Sequence, residues 1–375
     1  PMADPSVIQG VAKWVASTLL ENHYNFHMFG TGAAMLGKHL EGHLPVRNFR
    51  DGVMETVTQI DAKAIKAQYL AKMDACYACS VRCKKRVKIE AKYTVDPKFG
   101  GPEYETIAAI GSNVGVDDLV AICKSNELLN LYGMDSISCG ATIAWAMECY
   151  EEGLLTDADT GGIPLRFGNA EQVIELIRMI ARRQGIGDLL AEGSLRAARK
   201  IGRGTERYSV HVKGLEIAMH DPRAMDRMLR NYPVTPTGGD HTGAAHHRTA
   251  LRNTAGVCQF LQYDEPRMVE IINGVTGWGV TLEELEMATR RATTLARLFN
   301  LREGFTRADD KLPPRMHEPI RYGPLSNKVL TPEEVDRVVE EYYEQQGWDR
   351  KTGVPTMMTL SQLGLNDDRY VAAIA

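Results

Sequence analysis

Apolar residues recur at helical spacing over most of the chain. Val7, Ile8, Val11, Trp14, Val15, Thr18 and Leu19 fall on one face, and Asp4-Pro5-Ser6 ahead of them supplies a start signal. Val173, Ile174, Leu176, Ile177 and Ile180 repeat the pattern between Asn169, a cap residue, and Gly185, the expected stop. "TLEE" at Thr281 and "TPEE" at Thr331 carry the residues of a capping box, and Gly347 is expected to close the last long helix. Strand periodicity is confined to "VKIEAKYTV", residues 87–95, which alternates by two and predicts one hairpin arm or edge strand after a cysteine cluster. Residues 97–101 and 233–247 lack helical pattern and are rich in Gly, Pro or His, so they predict loops carried on a rigid scaffold. The pattern as a whole predicts a mostly α fold. A break near residue 208 divides it into helical domains 1–208 and 209–375.

Composition narrows the function classes. A chain of 375 residues holds one large or two ordinary domains, and 44% hydrophobic with 25% charged residues is a globular balance. The net charge of −4 argues against a nucleic-acid partner, and the run Lys84-Lys85-Arg86 is too short to reverse that. No apolar run approaches the roughly 20 residues of a membrane span. The opening "PMADPSVIQG" has neither a basic region nor an apolar core of a signal peptide, which with the cysteine chemistry below gives a cytoplasmic expectation. The same opening reads as a chain cut from something longer, or one begun at a domain boundary.

Three of seven cysteines lie in "DACYACSVRC", where Cys76, Cys79 and Cys83 are spaced C-x2-C-x3-C. That density argues against ordinary core thiols. Structural zinc takes two ligand pairs, and no second C-x2-C or H-x3-H is present. A [4Fe-4S] cluster needs four thiolates at the corners of a cube, and three local cysteines with one distant cysteine supply them. Cys123 and Cys149 sit in amphipathic helical pattern and read as core. Cys139, in the expected turn "DSISCGAT", and Cys258, after a glycine in "RNTAGVCQF", both remain candidates for the fourth ligand.

Other polar segments carry candidate chemistry. "GGPEYETIAAIGSN" places Glu103 and Glu105 on either side of Tyr104; they are solvated acids before a helix or a carboxyl group tuned for proton transfer. "TPTGGDHTGAAHHR" holds His241, His246 and His247, which are metal ligands, an acid/base group or a polar loop. Asp240 and His241, beside Gly238-Gly239, look most like a site. Asn130-x-x-Gly133-Met134-Asp135 and Asn253-x-x-Gly256-Val257-Cys258 share one pattern, N-x-x-G-hydrophobe-D/C, suited to holding the edge of a heterocycle.

Many ordered segments together resemble one family. "GTGAAMLG", "GHLPVRNFRDG", "CYACSVRC", "GPEYETIAAIGS", "NELLNLYGMDSISCGATIAWAMECYEEGLL", "GIGDLLAEGS", "VKGLEIAMHDPRA" and "LFNLREGFTRADDKLPPR" are similar to the C-terminal helical domains 2 and 3 of the tungsten-dependent aldehyde:ferredoxin oxidoreductases. The resemblance implies two helical lobes meeting at a cofactor site. It implies tungsten, or molybdenum, on a bis-pterin beside a [4Fe-4S] cluster, aldehyde oxidation to carboxylic acids, and ferredoxin or an electron-transfer subunit as partner. It assigns the cluster to Cys76, Cys79, Cys83 and Cys258. It maps the two pterin motifs onto Asn130, Gly133, Met134 and Asp135, and onto Asn253, Gly256, Val257 and Cys258. The proton-transfer glutamate becomes Glu105, and the active-site histidine His241. Departures are visible: Asn130 and Asn253 stand where the family has Asp, Thr237 where it usually has Arg, and the stretch from His241 to Cys258 is short. The family's N-terminal pterin-binding domain has no counterpart in these residues and would be supplied in cis or trans. Alternatives on the same scaffold are a cluster-bearing electron-transfer or assembly module of a multi-subunit complex, or an aromatic acyl-CoA reductase subunit like the tungsten subunit of benzoyl-CoA reductase.

Overall fold

In a computed structural model that describes residues 1–243 and 245–367, helices begin where cap residues predict them. Asp4 accepts from Ser6 N–H at 2.9 Å ahead of the helix Pro5–Ser17. Asn169 accepts from Gln172 N–H at 3.1 Å ahead of Ala170–Arg182. Thr281 and Glu284 form a reciprocal capping box on Leu282–Arg302. The helix Pro332–Gln346 follows Thr331 directly, and Gly347, at φ +73°, ends it. The fold is mostly α, as the periodicity predicts.

Three local expectations are corrected. Gly185 does not stop the Ala170–Arg182 helix. Arg183 takes the left-handed turn at φ +51°, and Gln184 N–H bonds back to Met179 C=O at 3.0 Å. The Arg183 guanidinium meets Asp188 at 2.9 Å and Glu192 at 2.7 Å. Gly185 instead begins the short helix Ile186–Leu190. Residues 87–95 are not one strand. Val87 ends the strand Lys84–Val87, and Ile89–Glu90 pairs with Thr94–Val95 in a separate small hairpin. Cys139 is not in a turn but in the first turns of the helix Ser136–Glu151.

Two compact units are present. One comprises Pro1–Asn22, Leu229–Lys311 and Pro332–Ala375; the other comprises His23–Met228 and Leu312–Thr331. Residue 208 ends the 3₁₀ turn Thr205–Tyr208 inside the second of these.

The second unit is built around Ser136–Glu151, a helix buried on nearly every side from Cys139 to Cys149. Tyr104–Ile110 crosses it closely at Gly140, where an added Cβ would lie 2.5 Å from the Ala109 carbonyl oxygen. At its far end Glu148 is fully buried and matched by Arg315 at 2.6 Å and Asn48 Nδ2 at 2.6 Å. A buried carboxylate needs such partners to stay in the core. In the first unit, Pro5–Ser17 packs on Glu265–Thr276 through Gly274, where a Cβ would meet Val7 at 2.8 Å. Arg297 is buried there between Asp310, at 2.8 Å, and the Gly353 carbonyl, at 2.9 Å.

Candidate functional site

The cysteine segment is the loop of an antiparallel hairpin. Leu70–Asp74 pairs with Lys84–Val87, with Asp74 opposite Lys84 and Met73 opposite Lys85. The first of these strands carries no alternating signal, so the sequence pattern passes over it. Several bonds hold the loop. His27 Nδ1 meets the Val81 carbonyl at 2.9 Å, Arg82 donates to Met73 C=O at 3.2 Å, and Cys79 N–H bonds to Cys76 C=O at 3.1 Å. Ala78 and Arg82, the residues before Cys79 and Cys83, are both left-handed at φ +54°. Neither is glycine, so each costs about 1–2 kcal/mol. Strain of this kind is kept where a loop is shaped to present groups to a ligand.

Burial sorts the seven thiols. Cys76 and Cys258 are exposed, Cys79 and Cys83 half-buried, and Cys123, Cys139 and Cys149 buried; none is in a disulfide. Burial pushes the Cys123 thiol up to about 12. Burial, with repulsion from Asp135 and Glu216, pushes Cys139 to the same value, and Cys149 is also raised by burial. Those three are neutral core thiols. Of the two candidates that residue chemistry leaves open, Cys139 is thus sealed in a helix face, whereas Cys258 is accessible. Phe260 N–H donates to Cys258 Sγ at 3.4 Å. Cys76, Cys79 and Cys83 bring three soft donors of the kind that hold an iron–sulfur cluster onto one tied loop, and Cys258 lies in the first unit.

The two N-x-x-G segments have the same backbone. In the second unit, Asn130 lies near the end of Leu119–Tyr132; Gly133 turns left-handed at φ +66°, its N–H bonds to Asn130 C=O at 3.3 Å, and Met134 N–H bonds to Leu129 C=O at 2.9 Å. In the first unit, His247–Thr254 ends alike: Gly256 has φ +66°, its N–H meets Asn253 C=O at 3.2 Å, and Val257 N–H meets Arg252 C=O at 2.9 Å. Both are Schellman caps, so the repeated glycine has a structural cause. Asn and Gly are exposed in each, the hydrophobe half-buried, and Asp135 and Cys258 exposed. An added Cβ at either glycine would meet nothing within 4 Å. Each glycine borders open space, while the amide beside it is tied to the chain: Asn130 Nδ2 donates to the Asn126 and Phe99 carbonyls at 3.0 and 3.3 Å, and Asn253 Nδ2 to the Thr242 carbonyl at 3.4 Å. Asp135 also accepts from Ser138 N–H at 2.8 Å as the cap of Ser136–Glu151.

Glu103 and Glu105 diverge. Glu103 turns to Thr31 and to the buried Lys85 ammonium, 3.4 Å away. Glu105, in the first turn of Tyr104–Ile110, accepts from Met219 N–H on Oε2 at 2.7 Å, and its Oε1 lies 2.8 Å from His220 Nε2. Its side chain is 16% exposed and that of His220 17%. Tyr104 O–H donates to Met219 C=O, and its ring lies 5.3 Å from the His220 ring. His220 was not singled out from the sequence; the signal available was "AMHDPRA", downstream of Glu105 and polar only at its end.

The histidine-rich loop resolves into separate roles. His246 Nε2 meets the Arg230 carbonyl at 3.1 Å, and its ring packs edge-on against Tyr342. His247 Nδ1 meets Thr289 Oγ1 at 2.7 Å. Both are tied into helix packing. Asp240 accepts from Thr242 N–H and Oγ1, each at 2.7 Å, and so closes its own turn. His241 is half-buried beside it.

A family model described as "Aldehyde ferredoxin oxidoreductase, domains 2 & 3" matches residues 10–365. The chain belongs to this family. It is 33% identical over 380 residues to the tungsten-containing aldehyde ferredoxin oxidoreductase of Pyrococcus abyssi, with 90% of this chain and 60% of that protein covered. It is 30% identical to an aliphatic sulfonate oxidoreductase, WOR-like subunit, of Pyrococcus furiosus, with 91% and 58% covered. The chain thus spans about 60% of the length of the curated relatives it matches. Among solved structures, the active site complex BamBC of benzoyl coenzyme A reductase, in complex with 1,5-dienoyl-CoA, shares the fold: TM-score 0.74, 20% identity, 97% of this chain and 66% of that chain. These relatives are oxidoreductases, and among the described residues no helix is long and apolar enough to cross a membrane.

Proposed function

We propose that this chain is the helical part of a cytoplasmic tungsten, or molybdenum, bis-pterin oxidoreductase. It oxidises aldehydes to carboxylic acids and passes electrons through a [4Fe-4S] cluster to ferredoxin or an electron-transfer subunit. The observation that carries the reading is Glu105, a mostly buried carboxylate fixed by a main-chain N–H and an imidazole in a chain of this family.

Aldehyde and water give a carboxylic acid, two electrons and two protons, so the site needs a base and an electron route. The pterin-bound metal, when present, supplies a Lewis acid and the two-electron acceptor. Glu105 accepts a proton of the attacking water, and Met219 N–H fixes the orientation of its carboxylate. His220, on the other carboxylate oxygen, relays that proton outward. His241 donates to the substrate oxygen, where negative charge develops. Asn130, Gly133, Met134 and Asp135 hold one pterin; Asn253, Gly256 and Val257 hold the other. Cys76, Cys79, Cys83 and Cys258 ligate the cluster. The remaining pterin contacts come from a further domain in cis or trans.

The test is metal analysis and aldehyde-dependent dye reduction on the full protein carrying this chain, purified without oxygen. Iron with tungsten or molybdenum, and dye reduction by an aldehyde, are expected. Iron without either metal and no dye reduction would sink the reading in favour of a cluster-bearing electron-transfer module. A second substrate reading rests on the sulfonate oxidoreductase, whose identity is nearly that of the aldehyde enzymes. Dye reduction by an aliphatic sulfonate in place of an aldehyde would select it.

A further inference from the structure

We propose that the outer face of the ribbon formed by Leu70–Asp74 and Lys84–Val87, together with Tyr77 in its loop, is the docking surface for an acidic electron-transfer protein. The proposal rests on the reading of this chain as part of an oxidoreductase that passes electrons to such a partner.

Strand register brings the charges together. Lys72 lies opposite Arg86 and Asp74 opposite Lys84, so these four side chains share one face of the ribbon, and Met73 and Lys85 share the other. Burial agrees with the register. Lys72 and Lys84 are exposed and Arg86 half-buried, whereas Lys85 is buried with its ammonium 3.4 Å from Glu103. The run Lys84-Lys85-Arg86 is thus split between the two faces, and Lys72 joins it from the other strand. Asp74, the acid of the outer face, accepts from Arg86. No carboxylate among the described residues forms an ion pair with Lys72 or Lys84. Arg82, also exposed, adds a cation in the loop, placed by its bond to the Met73 carbonyl at 3.2 Å. Lys72, Arg82, Lys84 and Arg86 therefore stand against one acid, in a chain whose net charge is −4.

Tyr77 lies between Cys76 and Cys79 and is fully exposed. A single exposed aromatic is ordinary on a protein surface. This one stands inside the thiol loop with cations on the adjoining ribbon, and interface centres favour Tyr within a polar rim. Electron transfer weakens steeply with distance, so a partner serves these thiols best by touching their loop. A protein seated on Tyr77 comes against Cys76, which is itself exposed. The cations select its sign, because they speed the approach of an acidic protein and repel a basic one. His27 Nδ1 ties the loop at the Val81 carbonyl, so the surface holds its shape before a partner arrives. Every residue of this surface belongs to the second unit.

The experiment uses the full protein carrying this chain, with a small ferredoxin of strongly acidic surface as the probe and binding followed by calorimetry. Binding that weakens with added salt is expected. Reversing two charges together, Lys72→Glu with Lys84→Glu, should raise Kd about tenfold or more with iron content unchanged. Lys72→Arg with Lys84→Arg keeps the charge and should bind as the parent does. Tyr77→Ser should weaken binding about fivefold, again at unchanged iron. In turnover, KM for the ferredoxin should rise in the charge-reversed protein, while aldehyde-dependent reduction of a net-neutral viologen dye keeps its rate. No binding by the parent, or equal affinity in parent and charge-reversed protein, overturns the proposal. Binding of phosphatidylglycerol vesicles through these lysines in place of the ferredoxin also overturns it. Ferredoxin binding that depends on Lys72 and Lys84, in a protein that oxidises no aldehyde, would overturn the reaction assigned above and leave the docking surface supported.

Discussion

A lysine kept charged in an apolar setting weakens the fold that contains it. The Lys38 pKa falls from 10.5 to about 8 on folding. At about 1.4 kcal/mol for each pKa unit this is on the order of 3 kcal/mol. The sign follows from proton binding. Between pH 8 and 10.5 the unfolded chain holds more protons than the folded one, so stability rises with pH across that window. Below it the full cost is present. Lys38→Met is accordingly expected to melt higher than the parent at pH 7, with the gap closing between pH 8 and 10.5; a gap independent of pH would refute this. Glu105→Gln removes the proton acceptor and is expected to lower kcat/KM by about 100-fold or more, with iron and tungsten content unchanged. Neither the burial of Lys38 nor the His220 contact is legible in sequence. "GTGAAMLGKHL" reads as an ordinary helix with a lysine, and His220 is 115 positions from Glu105.

At the scale of elements, local chemistry was the readable part. Asp4, Asn169 and the Thr281 box start helices because a side-chain oxygen meets amides two or three residues ahead, an interaction contained in a few consecutive residues. The N-x-x-G segments show how one signal carries two meanings. Gly133 and Gly256 are the left-handed residues of helix caps whatever else borders them. Gly133→Ala should cost about 1–2 kcal/mol in thermal unfolding. Asp135 separates cap from binding. Asp135→Asn keeps a good cap and should leave the melting temperature nearly unchanged, whereas Asp135→Ala should cost about 1 kcal/mol. If Asp135 also holds a pterin through its charge, Asp135→Asn lowers tungsten content with stability intact; unaltered tungsten would confine the residue to its cap. The strand Leu70–Asp74 was illegible because its partner lies beyond the cysteine loop, and none of its residues is buried, so neither face demands an apolar alternation.

For the molecule as a whole, the four accessible cysteines lead to one further expectation. Cys79→Ser and Cys258→Ser, in different units, should each reduce iron from about four per chain, whereas Cys123→Ser should not. Full iron in Cys258→Ser would leave the fourth ligand elsewhere. The sequence by itself determined the helical class, the helix starts, the cysteine spacing and the family, because each is written in short-range periodicity or in ordered motifs. Tertiary structure alone decided the rest. It assembled each unit from segments distant in sequence, buried Cys139 while leaving Cys258 accessible, and set His220 against Glu105. Burial and long-range contact depend on which faces meet, and a residue's own neighbours in the chain do not encode the partner it will find.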